Sequence, residues 1–321
     1  MSENKKCIVY GGGGFIGSHL CEALVKSGYE VVLFDKLNFS RKNISRFENK
    51  IKIIEGDFNN EIDIKNSLAG INFVFHLVSS TLPASSNENP VYDAETNLIS
   101  SLKLFKECVD EKISKVIFLS SGGTVYGIPE SVPVKEDYFS NPFCSYGIIK
   151  RTIEEYLFLF HKLHGLDYFV FRLSNPYGER QNPMASQGAV SVFINKVINN
   201  ETIEIWGDGE VIRDYIYIKD AVNVLVRSLE VSSTEKVFNL STGKGYSLNE
   251  IIDVIRKISG QKISPEYKNA RSIDVPVSIL DNKLAVKVFG IKPETSVEEG
   301  RKYFSIRSER QIKEKRLKRK Q

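Results

Sequence analysis

The sequence lacks any apolar run approaching the roughly 20 residues that a helix needs to cross a bilayer, so no membrane-spanning segment is predicted. The apolar stretch at residues 7–10 is too short for a secretory signal and lacks a small-residue cleavage site. Cysteine is scarce, and its four residues form no CxxC pair: Cys7, Cys21, Cys108 and Cys144. Neither a disulfide framework nor a metal site is therefore predicted, and we expect a cytoplasmic protein with reduced thiols.

The formal net charge of +4 is concentrated at the C-terminus. Residues 301–321 hold ten Lys or Arg against two Glu, so the rest of the chain is mildly acidic. The favoured interpretation of this basic tail is a solvated terminus, and weak attachment to anionic lipid or nucleic acid is the alternative. No aromatic residue interleaves with the final basic run, which argues against a stacking surface for nucleic acid.

Short β-rich runs alternate with helical patterns through the first half of the chain. The predicted strands cover residues 7–10, 31–34, 51–54, 72–77, 116–119 and 167–171, and the predicted helices cover 19–25, 93–111 and 145–163. Continuous apolar strands between helices are typical of a parallel sheet that is covered on both faces. We therefore predict an α/β fold with a Rossmann-type, doubly wound parallel sheet and right-handed crossovers.

The pattern becomes irregular after Arg172, where Pro, Gly and Asn are frequent. We predict that residues 1–173 and 216–240 form the sheet domain. A smaller C-terminal lobe would comprise residues 174–215 and 241–300, followed by the basic tail.

Three glycines follow the first strand at a spacing that suits a dinucleotide. Gly11, Gly14 and Gly17 form G-x-x-G-x-x-G between a buried strand and a helix. Glycine permits the tight turn, the close approach of a pyrophosphate and the packing of the helix on the strand. The N–H groups at the start of that helix then face the phosphates.

An aspartate at the end of the second strand indicates which dinucleotide binds. Asp35 lies 18 residues beyond Gly17, where a carboxylate can accept hydrogen bonds from both adenosine ribose hydroxyls and repel a 2′-phosphate. This favours NAD over NADP, although Lys36 and Arg41 are cations that could serve a phosphate. Asp57 ends another strand, where it either bonds the adenine edge or stabilises a turn.

A tyrosine and a lysine supply the candidate chemistry. Tyr146 and Lys150 are four residues apart in a predicted helix, so their side chains share a face. A nearby ammonium and an oxidised nicotinamide should lower the tyrosine pKa from its usual value of about 10. Tyr146 would then exchange a proton with a sugar hydroxyl, while Lys150 bonds the nicotinamide ribose. The alternative is two surface residues on a helix.

The helix that carries this pair is apolar well beyond one face. Its apolar residues include Ile149, Ile153, Tyr156, Leu157 and Phe160. A helix that is apolar on several faces packs against more than its own sheet. We therefore predict a homodimer, with a fully covered monomer as the alternative.

Taken in order, these strings resemble the extended short-chain dehydrogenase/reductases, and among them the NAD-dependent nucleotide-sugar epimerase/dehydratase family of the UDP-glucose 4-epimerase type. The resemblance covers about residues 7–300. The matching strings are Gly11–Gly17, Asp35, His76-Leu77, Asn97, Val125–Gly127, Tyr146 with Lys150, Asn175–Gly178, Trp206–Gly209, Arg213–Tyr215 and Arg271–Pro276.

The resemblance implies a set of binding residues. Cofactor contacts are expected from Gly11, Gly14, Phe15, Ile16, Gly17, Asp35, Asp57, Phe58, Leu77, Asn97, Tyr146 and Lys150. Asn175, Arg213 and Arg271 match positions that hold the diphosphate of a nucleoside-diphosphate sugar, in keeping with the pairing of guanidinium groups with phosphate oxygens.

One position departs from the family pattern. The family has a catalytic Ser or Thr four residues before the Tyr of Val-Tyr-Gly, and this chain has Gly122 there. Ser121 and Thr124 flank the gap, and Thr124 is favoured as the donor to the sugar O4. The acidic pair of the 4,6-dehydratases is also missing, because Gly123 and Thr124 occupy its positions. Dehydration is therefore not expected, and neither is decarboxylation, for which the corresponding Glu is absent.

A small residue occupies a position that bears on the sugar. Ser278 lies seven residues after Arg271, where hexose-only epimerases carry a bulky aromatic residue. We therefore expect UDP-N-acetylhexosamines to be tolerated.

The resemblance implies a 4-epimerase that passes through a transient 4-keto sugar. A 4-keto-sugar reductase with an exchangeable cofactor is the second interpretation. A non-catalytic dinucleotide-binding sensor is the third.

Overall fold

The computed structural model describes residues 5–184, 188–270 and 275–299. The predicted basic tail and Arg271 lie outside these ranges. The strands are β1 Lys6–Tyr10, β2 Glu30–Asp35, β3 Lys52–Glu55, β4 Phe73–His76, β5 Lys115–Ser121, β6 Tyr168–Leu173, β7 Asn175–Tyr177, β8 Glu204–Trp206, β9 Ile212–Tyr217, β10 Val237–Leu240, β11 Gly245–Ser247, β12 Glu266–Lys268 and β13 Val277–Ser278.

The helices connect these strands and cover them. They are α1 Phe15–Lys26, α2 Glu61–Ser67, α3 Pro83–Ser86, α4 Pro90–Asp93, α5 Ser100–Asp110, α6 Ser145–His164, α7 Ala189–Asn199, α8 Ile218–Arg227, α9 Leu248–Ser259 and α10 Lys283–Phe289, with a π-helical turn at Ala94–Ile99 and 3₁₀ turns at Arg41–Asn43 and Glu48–Lys50. None of the helices within the described ranges is long and apolar enough to span a membrane.

Seven strands form one parallel sheet in the order β10-β6-β5-β4-β1-β2-β3. Each predicted strand is present, with ends within two residues of the prediction. The strand order reverses between β1 and β4, and the carboxyl ends of strands at such a point bind ligands in open α/β sheets. The predicted Rossmann-type fold is confirmed.

Side chains of alternating residues in β1 enter opposite layers of the core. Cys7 and Val9 pack with α1, α8 and α10, whereas Ile8 and Tyr10 pack with α2, α5 and α6. Because both faces are covered, the strands are continuous apolar runs rather than alternating ones.

The predicted helix over 93–111 is interrupted. α4 and α5 are joined by the π-helical turn, which carries Asn97. Single π turns inside a helix are frequent at functional sites.

A second group of elements surrounds β9. In this small sheet β9 lies between β11 and β13 and also pairs with β7, while β8 pairs with β12. Its core is formed by residues of α7, α9, β8 and β9, including Phe193, Ile205, Tyr215 and Ile251. Between β9 and β11 the chain returns to the large sheet through α8 and β10. The exact domain limits stay a prediction.

Candidate active site

A cavity of about 840 Å³ lies at the carboxyl ends of β4, β5 and β6, beside the start of α1. We call it the central cavity. Its lining combines Phe15, Ile16 and Leu77 with Ser79, Ser121, Gly123, Thr124, Tyr146, Lys150, Ser174, Asn175, Trp206 and Arg213. It therefore joins the predicted dinucleotide site to the second group of elements, and its volume suits a sizeable ligand.

The glycine loop has the geometry that a dinucleotide requires. Gly11 has a φ of +81°, in the left-handed region. A Cβ on Gly17 would lie 2.2 Å from the Gly11 carbonyl oxygen, so only glycine allows α1 to pack this close. Gly14 caps α1 without a side-chain hydrogen bond, and the first turn carries no acidic residue. These residues fit a pyrophosphate, because the positive end of the helix is left to the ligand.

Asp35 is held at the edge of this loop. Its Oδ2 accepts a hydrogen bond from the Gly13 N–H at 2.8 Å. Arg41, one of the cations that could serve a 2′-phosphate, donates instead to Glu48 at 2.6 Å and to Glu55 at 2.7 Å. Because two carboxylates already pair with Arg41, the site fits NAD better than NADP.

Asp57 and Phe58 lie near this site without lining the central cavity. The exposed Asp57 carboxylate accepts hydrogen bonds from the Asn59 backbone and side chain, both at 2.9 Å. Phe58 is buried with its ring centroid 5.1 Å from that of His76. Asp57 thus stabilises its own turn in this structure, and its bond to adenine stays a prediction.

Asn97 is buried and acts on the segment after β4. Its Oδ1 accepts from the Ser80 N–H at 2.9 Å, and its Nδ2 donates to Asp93 at 2.8 Å. The amide therefore holds the loop beside the central cavity rather than lining the cavity itself. Direct contact with the cofactor stays a prediction.

The structure brings Tyr146 and Lys150 together on the wall of the central cavity. The Lys150 Nζ lies 5.6 Å from the centroid of the Tyr146 ring and donates to the Leu119 carbonyl at 3.1 Å. Lys150 is only 5% exposed. The two side chains are thus not surface residues of a helix, and both can reach a ligand in the cavity.

Burial decides the proton affinities of this pair. It raises the pKa of Tyr146 to about 12, against the effect of the Ser79 and Ser121 hydroxyls, which lower it. Burial also lowers the pKa of Lys150 to about 8, against the charges of Glu154 and Asp93 that raise it. In the protein alone the Tyr146 shift is opposite to the predicted direction, because desolvation of the phenolate outweighs the favourable contacts.

Ser121 and Thr124 are the predicted replacements for the hydroxyl that is missing at Gly122, and their surroundings differ. The Ser121 hydroxyl acts on the Tyr146 phenol and lowers its pKa. The Thr124 Oγ1 is buried and has no hydrogen-bond partner within the described residues, and the same is true of the Ser174 Oγ. A buried polar atom without a partner costs about 1–3 kcal/mol. Both residues line the central cavity.

Two of the predicted diphosphate-binding residues lie on the far side of the central cavity. Asn175 begins β7, and its Nδ2 donates to the Asp214 carbonyl at 3.0 Å. Arg213 lies on β9 and donates to the carbonyls of Ile212 and Val275. Backbone carbonyls thus orient both side chains at the cavity wall.

Ser278 lies on β13 directly opposite Arg213 in the pairing with β9. It is 7% exposed and does not line the central cavity. Its effect on the sugar, and the diphosphate contact of Arg271 outside the described residues, stay predictions.

Sequence reasoning missed the residue that joins the loop after β4 to α6. Asp93 is fully buried and accepts from the hydroxyls of Thr81 and Ser145 at 2.6 and 2.7 Å. Ser86 in the same loop accepts from the Tyr146 N–H at 3.0 Å. No spacing marks these residues, because their partners come from separate parts of the chain.

The model of the NAD dependent epimerase/dehydratase family matches residues 7–241. A UDP-glucose 4-epimerase of Mycolicibacterium smegmatis is 33% identical over 300 residues, which cover 92% of this chain and 96% of that protein. A dTDP-4-dehydro-6-deoxyglucose reductase of Escherichia coli is 33% identical over 304 residues, which cover 91% and 94%.

The crystal structure of a UDP-glucose 4-epimerase from Thermotoga maritima, with UDP-glucose, superposes with a TM-score of 0.90 at 35% identity. The match covers 96% of this chain and 99% of that one. Together with the glycine loop, Asp35 and the Tyr146/Lys150 pair, these matches show that the chain belongs to the NAD-dependent epimerase/dehydratase family.

Proposed function

We propose that the protein is an NAD-dependent 4-epimerase of UDP-hexoses. The observation that carries this is the position of Tyr146 and Lys150 on a single cavity that extends from Phe15 and Ile16, at the start of α1, to Asn175 and Arg213. One cavity can therefore hold a dinucleotide and a nucleotide sugar together. The relatives from M. smegmatis and T. maritima support this assignment because both are named as UDP-glucose 4-epimerases.

The chain supplies binding, orientation and a proton relay. The glycine loop and the start of α1 hold the pyrophosphate of NAD, and Asp35 holds the adenosine ribose. NAD bound by these residues would supply a reversible hydride acceptor for the sugar C4. Tyr146 takes the proton from the 4-hydroxyl and gives it back, while Lys150 stabilises the phenolate. The Thr124 hydroxyl, buried without a partner among the described residues, donates to the sugar O4.

The second side of the central cavity holds the nucleotide. We assign the substrate diphosphate to Asn175, Arg213 and Arg271, since guanidinium groups pair bidentately with phosphate oxygens. In this scheme residues 1–173 and 216–240 bind NAD, and residues 174–215 and 241–300 bind the nucleotide sugar.

A reductase of nucleoside-diphosphate-4-keto sugars is the second candidate, favoured by the relative from E. coli. It would use the same Tyr146 and Lys150 but would consume NADH or NADPH with each turnover. An epimerase regenerates its cofactor in each cycle, so NAD should stay bound. A non-catalytic sensor is the remaining alternative, and it would not turn over either substrate.

The deciding experiment analyses the purified protein without added nucleotide. Mass spectrometry of the supernatant after denaturation should detect NAD, and the intact protein should interconvert UDP-glucose and UDP-galactose. The Tyr146→Phe variant should retain NAD and lose roughly a thousandfold in turnover, because only the proton relay is removed. Stoichiometric oxidation of NADH with a 4-keto sugar would instead establish the reductase. If the protein catalyses neither epimerisation nor reduction, the non-catalytic sensor is the remaining candidate.

We also propose a homodimer formed through α6. Four large apolar side chains of this helix are 42–66% exposed: Ile148, Phe158, Leu159 and Leu163. Such a group of exposed apolar residues on one helix is typical of a subunit contact. Light scattering should give twice the monomer mass, and Leu163→Glu should reduce it. A monomeric wild-type protein would exclude the dimer.

We assign the protein to the cytoplasm, since all four cysteines are free and buried. Fractionation of cells that express the full chain tests this assignment, and recovery in a membrane pellet would contradict it.

A further inference from the structure

A buried ion pair lies directly behind the proposed catalytic residues. Glu154 on α6 and Arg172 on β6 are each 2% exposed. The Arg172 Nη2 donates to the Glu154 Oε2 at 2.7 Å, and its Nε lies 3.2 and 3.1 Å from the two carboxylate oxygens. The geometry is bidentate, which is the strongest arrangement for such a pair.

The pair connects three of the elements that carry the site. The Ser120 hydroxyl at the end of β5 also donates to Glu154, and the hydroxyl of the next residue, Ser121, acts on the Tyr146 phenol and lowers its pKa. Arg172 lies two residues before Ser174, which lines the central cavity. Glu154 thus ties the ends of β5 and β6 to the helix that carries Tyr146.

Glu154 also shares a helix face with the catalytic pair. Tyr146, Lys150 and Glu154 follow each other at intervals of four residues, so they lie one above another along α6. The carboxylates that raise the proton affinity of Lys150 are Glu154, on the same helix, and Asp93, packed against its N-terminal part. The charge of Lys150 also acts on His76 of β4, whose pKa is held well below the usual value by burial and by this charge. Glu154 is thus one of two anions that act on a nearly buried ammonium.

We propose that Glu154 is a positioning residue for the proposed epimerase reaction. It holds Lys150 in its charged form and fixes the end of β5 that presents Ser121 to the Tyr146 phenol. The inference rests on the proposed function for its kinetic consequences, but the protonation of Lys150 can be measured without turnover.

The test compares Glu154→Gln with wild type, with Glu155→Gln as the matched control. Glu155 is the next residue of α6, and its side chain is 55% exposed. It pairs with Arg151, which also donates to Glu154 at 3.0 Å, so Glu155→Gln removes a nearby charge but leaves Glu154 paired with Arg151 and Arg172. Glu154→Gln should lower kcat about tenfold and leave KM for UDP-glucose within about threefold, since no substrate contact is removed. The alkaline limb of its pH–kcat profile should move to lower pH by about one unit, because the anion next to Lys150 is lost. Glu155→Gln should match wild type.

A second measurement determines the pKa of the Lys150 amine directly. Competitive labelling with acetic anhydride across a pH series, followed by mass spectrometry of the Lys150 peptide, reports the pKa of this amine whether or not the protein turns over. Glu154→Gln should lower it, and Glu155→Gln should not. An unchanged Lys150 titration in Glu154→Gln would overturn the proposal. If wild type fails to epimerise, the proposed function fails while this titration still decides the inference.

Removal of one partner of a buried ion pair can prevent folding, because it leaves an unpaired charge. Melting curves therefore establish the folded fraction at the assay temperature. If Glu154→Gln does not fold, the test uses Glu154→Asp and Ser120→Ala, because both variants keep a carboxylate at position 154. Each should lower kcat at least about threefold with KM and the alkaline limb unchanged, and wild-type kcat in both would contradict the proposal.

Discussion

Leu280 occupies the space that a side chain at Gly122 would need. A Cβ built on Gly122 would lie 2.2 Å from the Leu280 Cδ1 and 3.1 Å from the Arg172 carbonyl oxygen. Leu280 belongs to a small buried cluster with Val125, Tyr126 and Val134. The absence of the family hydroxyl at this position is therefore matched by a core residue that fills the space, and Ser121 and Thr124 stay the predicted sources of the hydroxyl.

This contact predicts that restoring the hydroxyl does not improve the enzyme. Gly122→Ser should lower the free energy of unfolding by about 1–3 kcal/mol through overpacking against Leu280, without raising kcat. Gly123→Ser is the matched control, because a Cβ on Gly123 would meet no atom within 4 Å. Urea denaturation and UDP-glucose turnover measure the two effects. A Gly122→Ser protein with wild-type stability and higher kcat would show that the space is not filled in solution.

The titration of Lys150 predicts how turnover depends on pH. Since its pKa is lowered to about 8, the ammonium dominates below that pH and is lost above it. The charged form stabilises the Tyr146 phenolate, so kcat should fall as pH rises through about 8. Lys150→Met should abolish this limb along with most of the activity. A wild-type profile that stays flat to pH 10 would show that the lysine charge is not needed.

The sequence predicted those parts of the site that depend on local spacing. Gly11–Gly17 and the Tyr146/Lys150 pair lie within single turns or helices, so their side-chain positions follow from backbone geometry. The same reasoning predicted the strands of the sheet. Their burial on both faces produces apolar runs that can be recognised without knowledge of neighbouring elements.

The contacts between distant parts of the chain were not predictable from the sequence. Glu154 meets Arg172 and Leu280 fills the space beside Gly122 because helices, strands and loops pack together, which no local spacing records. The rise in the Tyr146 pKa in the protein alone was missed for a related reason, because desolvation depends on how completely Tyr146 is enclosed. The lowering expected with oxidised nicotinamide bound stays a prediction. Asp57 shows a different limit of sequence-based prediction. An aspartate directly after a strand suits a bond to adenine and also suits a turn, and the structure shows the turn contact.

The contacts of Asp35 predict the cofactor preference. Asp35→Asn should weaken NAD binding about tenfold, because a charged acceptor for the ribose hydroxyls becomes a neutral amide. NADP should not bind well to the variant, since Arg41 remains paired with Glu48 and Glu55. Titration of the cofactor-free protein with each nucleotide measures both affinities. NADP binding as tight as NAD binding in wild type would refute this role for Asp35.

The last prediction concerns the sugar. Ser278 pairs with Arg213 across β13 and β9, and Arg213 lines the central cavity. A large aromatic side chain introduced here should press the β9 side of the cavity inward, where a 2-acetamido group would otherwise find room. Ser278→Tyr should therefore lower kcat/KM for UDP-N-acetylglucosamine at least about tenfold and leave that for UDP-glucose within about threefold. Because Ser278 is buried, Ser278→Ala serves as the control for a change without added bulk, and it should retain both activities. An unchanged ratio of the two kcat/KM values in Ser278→Tyr would remove Ser278 from the determinants of specificity, and an equal fall of both values would attribute the loss to overpacking of β13.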